Sequence, residues 1–150
     1  MDGTHHHPRV GRLARALGGA GLLPQLAMLF LGTRNPGTDA GAIGAFGYAS
    51  LILSFLGGIW WGMAMHRVDR QRVLVLAAVV PSLVPVALVP VIVFFGWRWA
   101  LIALGIALML TLLVDRRLVG RGDAPAGWMG LRVPLSAGLG LLTIVAGVLA

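Results

Sequence analysis

The chain contains no cysteine, no lysine and no glutamate, and its acids are five aspartates. Without cysteine there is no disulfide framework, no thiolate nucleophile and no Cys-ligated metal, and the redox compartment is left open. Charge of either sign is scarce: 11% of the 150 residues are charged and 58% are hydrophobic, whereas a soluble domain carries about a quarter charged residues. Water is therefore not the main solvent of this protein. Five bilayer helices of roughly 20 residues each would take about 100 residues. Only short connections remain, with no room for a separate soluble domain.

Apolar runs long enough to cross a bilayer predict helices over 13–31, 42–65, 73–95, 99–114 and 130–149, after an N-terminal arm over 1–12. The block from Val73 to Val114, taken as one helix, would be about 63 Å long at 1.5 Å per residue. That is twice the roughly 30 Å hydrocarbon core, so a break is placed at Gly96. Pro81, Pro85 and Pro90 fall in the third helix. Each removes a backbone N–H and crowds the carbonyl four residues earlier, so a kink is expected there.

The net charge of +7 rests on twelve arginines, and their distribution orients the bundle. Arg9, Arg12 and Arg15, then Arg67, Arg70 and Arg72, then Arg116, Arg117, Arg121 and Arg132 would lie on one side, against Arg34 and Arg98 on the other. A split of ten to two places the N-terminus in the cytoplasm and the C-terminus outside. The expected class is an all-α, multi-pass bundle of five transmembrane helices in a bacterial inner membrane. Arginines placed between apolar runs speak for lipid headgroups and against nucleic acid. Trp60, Trp61, Trp97, Trp99 and Trp128 fall near helix ends, where an apolar ring with one N–H favours the headgroup region. A signal peptide is the alternative for the first run. However, the polar stretch Thr33 to Asp39 separates that run from the small-residue site Ala40-Gly41-Ala42, so a retained helix is expected.

On the second helix Ser50, Ser54, Gly58 and Gly62 recur every four residues. Such a ribbon permits close helix packing in lipid, so Ser54→Leu or Gly58→Leu is expected to do more damage than trimming Leu53, read as lipid-facing. The surrounding stretch Tyr48-Ala49-Ser50-Leu51-Ile52-Leu53-Ser54-Phe55-Leu56-Gly57-Gly58-Ile59-Trp60-Trp61-Gly62 resembles the signature of the transmembrane protein 69 family (domain of unknown function 3429), bacterial and mitochondrial. Leu113-Val114-Asp115-Arg116-Arg117 and Leu131-Arg132-Val133-Pro134-Leu135-Ser136 follow in matching order. The resemblance implies a five-helix membrane fold and no reaction.

Few side chains could carry chemistry. Gln25 is the only amide within the apolar runs. An unpaired amide in hydrocarbon costs several kcal/mol, so Gln25 should face the bundle, at the depth of Ser50 and Tyr48 on the next helix. Asp115, at the end of the fourth helix, and Arg132, at the start of the fifth, could meet across a hairpin near the boundary, or each could reach water separately. His5, His6 and His7 are too close together to converge on one metal ion. No catalytic, cofactor or metal-binding set is found, and no buried cluster of two or more ionisable groups is expected. The expected partners are the lipid bilayer and another membrane protein or a second copy of the chain. The leading expectation is a non-enzymatic accessory or assembly subunit. The rival is a small carrier or channel in which Gln25, Tyr48 and Ser50 line a cavity beside the kinked third helix.

Overall fold

The computed structural model describes residues 12–66, 71–122, 124 and 127–150; His5 to His7, Arg9, Arg67 and Arg70 lie outside them. The described residues are helical, without strands, and five stretches are long and apolar enough to cross a membrane. The first of these is not the single helix expected over 13–31. It consists of α1 (Arg12–Ala20) and α2 (Leu23–Arg34), separated by a turn at Gly21 and Leu22. Pro24 cannot donate to the carbonyl of Ala20 and its ring would crowd it, while three nearby glycines, Gly18, Gly19 and Gly21, weaken the helix further. The last turn of α1 tightens instead: the Gly21 N–H reaches both Leu17 O at 3.1 Å and Gly18 O at 2.9 Å. Pro24 then sits in the first turn of α2, where its missing donor is harmless.

The remaining helices are α3 (Ala40–Met65), α4 (Gln71–Phe95), α5 (Trp97–Gly120) and α6 (Trp128–Leu149). Helix α4 continues through all three of its prolines. A single residue, Gly96, joins it to α5, at φ +85° and with its N–H on Ile92 O at 3.0 Å. That positive-φ conformation is open to glycine and lets the chain turn from α4 into α5. Helix α5 does not stop at 114, where the apolar run ends. It extends to Gly120 because Asp115 is neutralised inside the bundle rather than released to water.

Close approaches show how neighbouring helices pair. A side chain at Gly147 would meet Arg98 O, one at Gly140 would meet Gly105 O, and Arg132 reaches Thr111, so α6 lies antiparallel along α5. Gly41 lies against Gly32 and Gly44 against Met28, pairing α3 with α2 in the same antiparallel sense, and Gly57 lies on the carbonyl of Ala78 in α4. Helix α3 thus touches α2 and α4. Its buried face, Ala45, Ala49, Leu53, Leu56, Trp60 and Ala64, also meets Leu101, Leu104, Leu108 and Leu118 of α5.

This face corrects the reading of the small-residue ribbon. Leu53 is 1% exposed and belongs to the core, not to the lipid surface. Ser50 and Ser54 are half-buried, and Gly58 and Gly62 are exposed, with nothing within 4 Å of the position a side chain would take. The larger apolar stripe one position round the helix fills the interior, since it supplies more contact surface than the ribbon does.

Candidate functional site

The most densely hydrogen-bonded group of side chains lies where α3, α5 and α6 meet. Asp115 is fully buried within α5, and Arg132, 4% exposed, lies in the second turn of α6. Arg132 Nε and Nη2 both donate to Asp115 Oδ2, at 2.8 and 2.7 Å. The indole N–H groups of Trp60 and Trp128 donate to Oδ1, at 3.0 and 3.2 Å. These four donors use the acceptor sites of an ionised carboxylate. Arg132 Nη2 also reaches Thr111 Oγ1 at 3.3 Å, and the Thr111 hydroxyl donates to Leu108 O at 2.6 Å. Buried charges persist when their attraction is supplemented by hydrogen bonds to the remaining sites, and this arrangement meets that condition.

The expectation that no two ionisable groups would be buried together is therefore wrong. Asp115 and Arg132 do meet across the α5–α6 hairpin, and they meet buried, because neither sits at a helix end. The sequence reading missed Thr111 and the donor roles of Trp60 and Trp128. A signal was present for Trp60, which falls in step with Leu53 and Leu56 and, when buried, needs a partner for its N–H.

Gln25 is also fully buried, but its partner is not on the neighbouring α3. Its Nε2 donates to Thr143 Oγ1 of α6 at 3.0 Å, and the Thr143 hydroxyl donates to Leu139 O at 2.7 Å. Tyr48 donates to the carbonyl of Gly21, which the α1–α2 turn exposes. Ser50 donates within its own helix to Phe46 O, at 2.7 Å. The three residues expected to line a carrier cavity thus each hold a separate structural bond. Gln25 Oε1 and Ser136 Oγ are buried without a hydrogen-bond partner among the described residues.

Over residues 10–148 the sequence matches the family model described as a protein of unknown function (DUF3429). No curated protein and no solved structure matches the chain. The match carries no narrower name, so the transmembrane protein 69 likeness stays a resemblance. With the match spanning the six helices of the described residues almost from end to end, this five-span membrane bundle belongs to the DUF3429 family.

Proposed function

We propose that this protein is a non-enzymatic accessory subunit of a bacterial inner membrane, with its N-terminus in the cytoplasm, that docks a helix of another membrane protein on the outward stripe of α3. One observation carries the reading: Gly58 and Gly62 face open space, while Leu51, Phe55 and Met65 extend the same exposed stripe. Steps of four and three residues along Leu51, Phe55, Gly58, Gly62 and Met65 match the seam of two helices crossing at a small angle. The Gly-x-x-x-Gly pair within it lets backbones approach closely where lipid gives no hydrophobic drive. Elsewhere in the bundle glycines are used for this purpose, as at Gly57 on Ala78 and Gly105 on Gly140.

The ionisable pair supports a non-enzymatic reading, because all four contacts of Asp115 are internal. A general base needs a free acceptor within reach of substrate. The ten-to-two arginine split supports the orientation. After gentle detergent extraction, the wild-type chain should copurify with a stoichiometric membrane partner, and Gly58→Leu/Gly62→Leu should lose it while remaining folded. A partner retained by the variant would refute docking at this face. Single cysteines at Asn35 and Trp97 should react with an impermeant thiol reagent in intact cells, while those at Gln71 and Gly122 should not; the reverse pattern would invert the orientation.

A further inference from the structure

A cavity of about 430 Å³ opens beside the break between α1 and α2. Its floor is core, made by Leu56, Leu108 and Leu139, and its rim includes the exposed Leu17 and Phe55. The break itself makes the space, since Gly18, Gly21 and Leu22 all line it. Along α6 the lining runs from Trp128 to Leu139, about 16 Å at 1.5 Å per residue. That is half of the roughly 30 Å hydrocarbon core, the depth of one leaflet's chains. The volume falls in the range of about 300–1,000 Å³ usual for small-molecule sites, which are mostly apolar with a few placed polar groups.

The charged group lies toward one end, because the Arg132 guanidinium reaches back over the Trp128 ring. Arg132 and Ser136 both line the cavity. Ser136 lies one turn deeper along α6, and its buried hydroxyl is closed to a ligand. The Arg132 contacts run through Nε and Nη2, leaving Nη1 without a partner among the described residues. Asp115 cannot take it up, because both of its oxygens are already occupied. Arg116, Arg117 and Arg121, all exposed, carry further positive charge on the same end of α5.

We infer that this cavity holds one acyl chain of an anionic phospholipid, whose phosphate is met by Arg132 Nη1. The apolar floor takes the chain, and the unspent Nη1 donor of Arg132 takes an acceptor oxygen of the headgroup. Surface arginines alone would gather anionic lipid around the bundle without ordering any one molecule. A built site binds one lipid per chain and depends on the cavity.

Native mass spectrometry of the full chain in detergent, titrated with phosphatidylglycerol or with phosphatidylcholine of the same chains, tests this. One phosphatidylglycerol per chain should bind about fivefold more tightly than phosphatidylcholine, the contribution of one basic side chain at a membrane surface. Ile59→Trp, which fills the cavity without changing charge, should abolish that binding. The double variant Asp115→Asn/Arg132→Gln, which removes the guanidinium without stranding a carboxylate, should erase the preference between the two lipids. Wild-type protein also gives a readout that needs no variant: phosphatidylglycerol with a photoactivatable chain should label the Leu17–Leu22 and Ile52–Ile59 segments. Equal binding of the two lipids, phosphatidylglycerol binding that survives Ile59→Trp, or labelling confined to other segments would each overturn the site.

Discussion

Two faces of this bundle carry small residues at similar spacing and have opposite fates. On α6, Ser136, Gly140, Thr143 and Gly147 are all buried, and Gly140 and Gly147 lie against backbone carbonyls of α5. On α3, Gly58 and Gly62 continue the ribbon begun by Ser50 and Ser54 and lie in open space. The neighbours of each ribbon decide the difference. The α6 ribbon shares its face with Arg132 and Leu139, which have partners only inside the bundle. The α3 ribbon competes with Leu53, Leu56 and Trp60, one position round the helix, for the same interior. Spacing identifies a face that can pack closely, and the adjacent side chains determine whether that packing happens within the chain.

Substitutions can break this contrast, in order of expected effect. Arg132→Leu should be the most damaging, because it strands a buried carboxylate at a loss of about 3–5 kcal/mol; unfolding in SDS would read it, and a near-wild-type midpoint would mean Asp115 is not buried as an ion. Leu53→Ala should follow with a loss of about 2–5 kcal/mol, since it opens a cavity in the core. Gly140→Ala should cost about 1–3 kcal/mol by overpacking, because the added carbon would lie 2.8 Å from both Gly105 O and Met109 Cγ. Gly58→Leu should leave the isolated chain within about 0.5 kcal/mol of wild type, as surface changes do. If Gly58→Leu proved more damaging than Leu53→Ala in the purified, partner-free chain, the assignment of inner and outer faces on α3 would be reversed.

Much of the architecture was legible in the sequence because a bilayer imposes a length on each span. The five spans and the break at Gly96 follow from apolar run length against membrane thickness. The interruption at Gly21 was not expected, although Pro24 and three preceding glycines mark it locally, because run length alone does not register a turn within an apolar run. Helix ends set by hydropathy also misplaced Asp115. Apolar character ends at Val114 while the helix continues, since Arg132, Trp60 and Trp128 replace water around the carboxylate. Gln25 was correctly expected to face inward, yet its partner Thr143 lies 118 positions away in sequence. No local pattern encodes that choice among helices.

The outward stripe of α3 can be tested most directly in the native membrane, before detergent removes weakly held partners. A photocrosslinking amino acid placed at Leu51 or Met65, on the stripe, would be compared with one at Leu110, which is exposed on α5. Docking at α3 requires a discrete protein adduct from both stripe positions, lost on Gly58→Leu/Gly62→Leu, and none from Leu110. An adduct of twice the chain's mass would replace the other membrane protein with a second copy of this one. Lipid adducts alone at Leu51 and Met65, or protein adducts equally abundant at Leu110, would contradict association through this face.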